Sequence, residues 1–248
     1  MLTTMTPACH LDWNGCFNVR DLGGLGAGHR RTRRGAVVRA DDVSLLTAAG
    51  WQSLQAHGVR TVIDLRNPDE ITTDRSPRPD ELTTVNVPID DVHDTELWRH
   101  IEDHELDGTP LYYQPFLDRK PGRCAAAIAA VADARPGGVV IHCSMGRDRT
   151  GLISLLLLAL AGVDPEHIIA DYAASAERLP ARYSALGLED QNALIADVLK
   201  RKNTSIRELL VDLLAGLAGR GVDTYLKNGG LGDAELRAVR TRLLETPG

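Results

Sequence analysis

The ten residues His142-Cys143-Ser144-Met145-Gly146-Arg147-Asp148-Arg149-Thr150-Gly151 stand between two apolar runs of different character. Gly138-Val139-Val140-Ile141 before them is short and β-branched, and reads as a buried strand. Leu152 to Leu160 after them is longer and rich in leucine and alanine, and reads as a buried helix. A strand-loop-helix unit of this kind aims several backbone N–H groups and a helix N-terminus at one anion. With a cysteine at the base and an arginine six positions later, it reads as a phosphate-binding loop with a nucleophile.

Each residue of the loop has a chemical part in that reading. The thiolate is the nucleophilic form of cysteine, and a helix N-terminus with nearby cations lowers a thiol pKa by several units from about 8.5. Cys143 lies beside Arg147 and Arg149, just before a helix expected from about Thr150. Arg149 offers a planar fork for two phosphoryl oxygens, which carry much of the transition-state charge. Gly146 permits a backbone turn that directs N–H groups inward, so the phosphate-binding set is Ser144, Met145, Gly146, Arg147, Asp148 and Arg149. The Thr150 hydroxyl can donate to the sulfur when sulfur leaves, and His142 shapes the loop and tunes the thiolate.

The 248 residues suffice for a sizeable core and read as a single domain over 1–248. With 28 basic against 34 acidic side chains, broad attraction to nucleic acid is not expected. The run His29-Arg30-Arg31-Thr32-Arg33-Arg34 reads as a solvated loop, with a rim that attracts an anionic substrate as the alternative. Four cysteines without a CxxC pattern point to a reducing compartment. No Sec-type leader is legible, and the longest apolar run, 152–163, is too short for a spanning helix. Cytoplasmic placement is therefore the default expectation, with export by a signal of another type left open.

Residues 1–15 look irregular, and the glycines of 23–28 read as a turn beside a short strand rather than a dinucleotide loop. Strands are expected at 36–39, 60–65, 83–89 and 138–141. Helices are expected at 47–57, from Asn67-Pro68-Asp69-Glu70, and over 123–134 and 150–161, with partial helix over 95–118. This alternation implies an α/β fold with a central, mostly parallel sheet flanked by helices. Beyond residue 162 only helices are expected, at about 164–177, 189–202, 205–219 and 233–244. The stretch 163–220 is a helical layer on the sheet or a lid over the site, with core packing the plainer reading of 205–219.

The string His-Cys-x-x-Gly-Arg-Asp-Arg-Thr-Gly resembles the active-site motif of cysteine-based protein-tyrosine phosphatases, in the form found in a mainly bacterial branch of tyrosine and dual-specificity enzymes. Asn18-Val19-Arg20-Asp21-Leu22-Gly23-Gly24, Val62-Ile63-Asp64-Leu65-Arg66, Ala170-Asp171-Tyr172 and Tyr225-Leu226 extend the resemblance over most of the chain. It implies hydrolysis of phosphotyrosine in proteins, extending in some members to phosphoserine, phosphothreonine or phosphoinositides, through a phosphocysteine. No metal and no cofactor enter this reading. Two departures stand out: Arg147, where lysine is commonest, and Asp41-Asp42-Val43 after Arg39, where an Arg-Ser pair is usual.

The leaving oxygen needs a proton from an acid opposite Cys143. Asp148 is favoured, and the resemblance supports it; Asp91 or Asp90, in an acidic loop after a strand, is the alternative. Asp64 is expected to accept backbone hydrogen bonds and Arg66 to form a structural ion pair. A phosphoinositide phosphatase on the same scaffold is the runner-up, resting on Arg147 and the arginine run. A phosphate-binding module without catalysis is the alternative from another class. Whether Cys16 or Cys124 approaches Cys143 closely enough to protect it, and the oligomeric state, are left open by the sequence.

Overall fold

The computed structural model describes residues 9–246. Among them the strands are β1 (Cys9–His10), β2 (Arg20–Asp21), β3 (Gly26–Ala27), β4 (Arg30–Arg31), β5 (Val37–Ala40), β6 (Val59–Asp64), β7 (Thr83–Asn86) and β8 (Gly138–His142). The helices of the first two thirds are α1 (Ala48–Ala56), α2 (Thr95–Asp103), α3 (Tyr113–Arg119), α4 (Pro121–Asp133) and α5 (Asp148–Ala161). Then follow α6 (Pro165–Leu186), α7 (Gln191–Arg201), α8 (Ile206–Arg220), α9 (Val222–Asn228) and α10 (Asp233–Leu243).

The main sheet runs β1-β2-β5-β8-β6-β7. Strands β5, β8, β6 and β7 are parallel, while β1 and β2 add an antiparallel flank. The fold is the expected α/β arrangement, a mostly parallel sheet with helices on its faces. The β-branched runs suit strands buried on both sides. Their alternate side chains enter different cores: Val139 and Ile141 pack with α4 and α5, whereas Val38, Val62 and Val140 pack with Trp51 and Leu54 of α1. Helix α5 is apolar all round and is correspondingly buried all round.

Register places the site. Ala40 and Asp64 both pair with His142, and Asp64 pairs with Asn86. The carboxyl ends of the four parallel strands therefore finish at one edge, where α/β sheets place ligands. The arginine run lies at the other edge. Arg33 donates its N–H to Leu243, and Gly35 leads into the amino end of β5. The rim reading of 29–34 is thus overturned, because the run enters the sheet from the end opposite Cys143.

Several boundaries differ from expectation. Of the irregular leader, residues 1–8 lie outside the described residues, while Cys9–His10 pairs as β1 and Trp13 is buried. The segment after Asn67 makes one 3-10 turn, Pro68–Glu70, and no longer helix. Strand β7 stops at Asn86, before Pro88. Helix α6 continues past residue 177, through Pro180, to Gly187 in the left-handed conformation. Its buried Leu179, Arg182 and Tyr183 hold the helix together across a proline that local propensity would treat as a stop.

The helices after residue 162 differ in burial. Leu210, Leu213, Leu214 and Leu217 of α8, at helical spacing, join the main core, as the plainer reading expected. Helix α7 buries only Leu199. Hydrogen exchange is expected to show α8 protected nearly as deeply as β8, and α7 opening far more readily. Equal protection of α7 and β8 would make α7 part of the core and end any lid role for it.

Candidate active site

Cys143 follows β8 directly and is almost wholly buried. Two glycines make the loop around it. Gly146 has φ +66°, and a Cβ there would lie 2.4 Å from the Ala40 carbonyl oxygen. Gly151 packs against Tyr113, whose hydroxyl would stand 2.8 Å from any Cβ. Helix α5 begins at Asp148, two residues earlier than expected, with Arg147 at the cap and no side chain capping it. Its first N–H groups are therefore free to meet an anion.

Arg149 is held from outside the loop. Both oxygens of Glu70 accept from its guanidinium, Oε1 at 2.7 Å from Nη2. Glu70 is itself fixed by the N–H of Asn67 at 2.8 Å. Asp90 Oδ2 stands 3.2 Å from Arg149 Nη1. Burial works against the charge of Arg149, but the bonds to Glu70 and the nearby charges of Cys143 and Asp90 outweigh it and raise its pKa. The arginine is a permanent cation beside the thiol. Glu70 was the functional residue that sequence reasoning missed; it was visible only as the last member of an Asn-Pro-Asp-Glu helix start.

Behind the cysteine, Asp64 accepts from the Arg66 N–H at 3.0 Å and from its Nη2 at 2.8 Å. Arg66 also pairs with Asp42 at 2.8 Å, so it is a buried tie between two loops, as the ion-pair reading expected. Burial alone would raise Asp64, yet the bonds from Arg66 and its charge bring it below the usual carboxylate range. His142 is fully buried, and that burial pushes its pKa down, keeping it neutral. The Thr150 hydroxyl is buried and has no protein partner among the described residues.

The two departures from the bacterial pattern acquire physical reasons. Asp41 accepts the N–H groups of Phe17 and Asn18, each at 3.0 Å, and Asp42 donates its own N–H to the Ser144 carbonyl. Both are loop anchors. The Arg147 guanidinium turns away from the loop, to Tyr183 at 3.0 Å, the Gly108 carbonyl at 3.2 Å, Gln191 at 3.4 Å and Asp148 at 3.2 Å. A lysine has one point charge and could not span these groups. Its side chain ties the loop to α6 and to the start of α7, and only its backbone remains for phosphate.

The three candidate acids have different surroundings. Asp148 lies against Arg147 at the mouth of the loop, a quarter exposed. Asp90 is half-buried, and its partial loss of water raises its pKa to about 6, with the charge of Arg149 opposing and those of Glu70 and Asp148 adding to the rise. Asp91 accepts from Lys120 at 3.0 Å, which holds its pKa below the usual value. The acidic loop is pinned rather than free, since Asp94 also pairs with Arg119 and caps α2. All four cysteines are free thiols; Cys124 sits in the core, where burial raises its pKa to about 12, and Cys16 donates to the Asp42 carbonyl.

Comparison with known proteins gives the family. Residues 11–245 match the tyrosine phosphatase family. A candidate tyrosine-protein phosphatase of Cupriavidus necator is 32% identical over 222 residues, covering 85% of this chain and 80% of that one. A tyrosine-protein phosphatase of Nostoc commune is 33% identical over 146 residues, 58% of this chain and 49% of its own. The triple specificity protein phosphatase PtpB of Mycobacterium tuberculosis is 24% identical across 93% of this chain and 97% of its own.

The fork of Arg147 yields a direct expectation. Arg147→Lys keeps the charge and loses most of the bonds to Tyr183, Gly108 and Gln191, a cost of about 1–3 kcal/mol. Calorimetry is expected to show a fall of several degrees, with faster hydrogen exchange over 183–192. An unchanged melting temperature and exchange pattern would mean that the fork holds nothing.

Proposed function

The chain belongs to the tyrosine phosphatase family, and from that premise we propose that it hydrolyses phosphotyrosine in proteins through a phosphocysteine formed on Cys143. The observation that carries the reading is the placement of Cys143 directly after β8, at the base of the loop whose Arg149 is held by Glu70. The thiolate sulfur attacks phosphorus in line, the phosphorus–oxygen bond to the tyrosyl group breaks, and the leaving oxygen takes a proton from an aspartic acid. The Arg149 fork and the loop amides of residues 144–149 hold the equatorial oxygens, whose charge they stabilise most in the transition state. Water then attacks the phosphocysteine, the carboxylate takes the water's proton, and the sulfur leaves as thiolate with the Thr150 hydroxyl donating to it. No step calls for a metal or a cofactor.

In this reading Asp148, at the mouth of the loop, is the acid. One observation favours Asp90 as a second reading: it lies beside Arg149 and, with its pKa raised to about 6, keeps its proton to higher pH than an ordinary aspartate. Asp91 is the weakest of the three, being bound to Lys120. Phosphoserine and phosphothreonine fall to the same chemistry, and one relative is named for triple specificity. The phosphoinositide reading loses both of its sequence supports. Arg147 points into the helical layer, and the arginine run lies at the far edge of the sheet. A binding module without catalysis has little in its favour, because the nucleophile, the arginine and the threonine are all in place.

Cys143→Ser is expected to abolish turnover of an aryl phosphate while still binding it; turnover at the wild-type rate would end the phosphocysteine mechanism. The acid is read from leaving groups. Asp148→Asn is expected to slow a phenyl phosphate by about a hundredfold or more and an activated nitrophenyl phosphate far less. If Asp90→Asn does this instead, the role moves to Asp90. The wild-type rate would then fall as pH rises through about 6, where Asp90 loses its proton, and the variant would lack that limb.

A further inference from the structure

The chemistry above leaves unused the stretch Asn18-Val19-Arg20, Arg39 of β5 and Asp171 of α6. All are buried, and all converge on the phosphate loop from behind. A loop that turns its N–H groups toward an anion turns its carbonyls the other way, and buried carbonyls need donors. Each carbonyl from Ser144 to Asp148 has one. Ser144 accepts from the Asp42 N–H at 3.1 Å. Met145 accepts from Asn18 Nδ2 at 2.9 Å. Gly146 accepts from Arg39 Nη2 at 2.6 Å, with Arg147 sharing the same donor at 3.4 Å. Asp148 accepts from the Tyr113 hydroxyl at 2.7 Å. Among the described residues, the N–H groups of Ser144 to Arg147 donate to no backbone carbonyl.

The donors are themselves aimed. The Asn18 carboxamide could face either way, but its Oδ1 accepts from Arg20 Nη1, which leaves Nδ2 for Met145. Arg20 in turn donates Nε to Asp171 Oδ1 at 2.9 Å and Nη2 to the Asp171 carbonyl at 3.0 Å. The other Asp171 oxygen takes Nη1 of Arg39, leaving Nη2 for the loop. One carboxylate thus sets the direction of both donors. Two buried arginines against one buried aspartate also leave a net positive charge behind the loop, which favours both a thiolate and a bound phosphate.

We propose that Asn18 and Arg39, aimed by Arg20 and Asp171, are positioning residues that hold the loop carbonyls of 145–147 backwards so that the opposing amides meet the phosphoryl oxygens. The proposal rests on the phosphocysteine reading and adds to it a reason for the N-terminal motif, which touches no substrate. The loop cannot hold this turn alone, because unpaired carbonyls would rotate toward any donor within reach, including the site itself.

The test is Asn18→Leu, which keeps the bulk and removes the donor, with Arg39→Lys as the second variant. Arg39→Lys keeps the charge but has one ammonium to divide between Asp171 and Gly146, and it carries the test if Asn18→Leu fails to fold. Three readouts are taken at matched fold: kcat on an aryl phosphate, the inhibition constant of vanadate, and the pH midpoint of Cys143 alkylation by iodoacetamide. The expected result is kcat lower by about ten- to hundredfold, as for other groups that orient a reacting shell. Vanadate should weaken by a similar factor, and the alkylation midpoint should move to higher pH. A variant that melts lower but keeps all three readouts at wild-type values shows a merely structural role and overturns the proposal. The wild type separates this from the reading beneath it. If the unmodified protein neither turns over the ester nor binds vanadate, the phosphatase reading fails; if it does both and the variants match it, only the positioning role fails.

Discussion

A backbone turn that shows its N–H groups to an anion drives its carbonyls into the interior, where each must find a donor or forfeit about 1–3 kcal/mol. The turn from Ser144 to Asp148 meets this demand with donors drawn from distant parts of the chain. Asn18 comes from before β2, Arg39 from β5, Asp42 from the loop after it, Arg182 from α6 and Tyr113 from α3. The sheet order brings β5 beside β8, and α6 crosses behind the loop. Without those neighbours the strand-loop-helix unit would have no reason to keep its shape.

The donors are charged, and their burial raises a second demand. A guanidinium out of water is costly unless a carboxylate meets it with good geometry. Each arginine drawn from water near the loop has such a partner: Arg149 has Glu70, Arg66 has Asp64 and Asp42, Arg182 has Asp41, and Arg20 and Arg39 share Asp171. The acidic residues at 41, 42, 64 and 70 are therefore part of the apparatus that keeps the cations pointing in chosen directions. Arg147 extends the same logic outward. Its fork joins the loop to α6 and α7 through hydrogen bonds to Tyr183 and Gln191, while Asp148 beside it balances the charge.

Much of this was legible before any coordinates. The buried strand, the glycine, the cysteine-arginine spacing and the apolar helix announced an anion loop at the carboxyl end of a parallel strand. The ion pair of Asp64 and Arg66 followed from two opposite charges at a strand end. Glu70 was in plain view but was read only for its effect on the next turn of chain, because its partner Arg149 is 79 residues away. The arginine run, read as a solvated loop, kept a substrate rim as its alternative since charge in a sequence carries no direction. Helix α6 is expected to about residue 177 from the sequence, and its continuation across Pro180 follows from a burial pattern that only packing reveals.

By itself the sequence determined the candidate reacting groups and the local shape around them. Cys143, Arg149, Thr150 and the conformational freedom of Gly146 are properties of residue type and near spacing, and near spacing survives folding. The tertiary structure decided which way the long side chains point. Arg147 and Arg149 are two positions apart with the same side chain, yet one faces α6 and the other stands beside the thiol. The difference lies in the carboxylates and carbonyls that folding brings to each. Such partners are set by strand register and helix packing, which no local pattern of the loop contains. The shape of the cysteine, arginine and glycine turn is kept by distant residues that hold its carbonyls from behind.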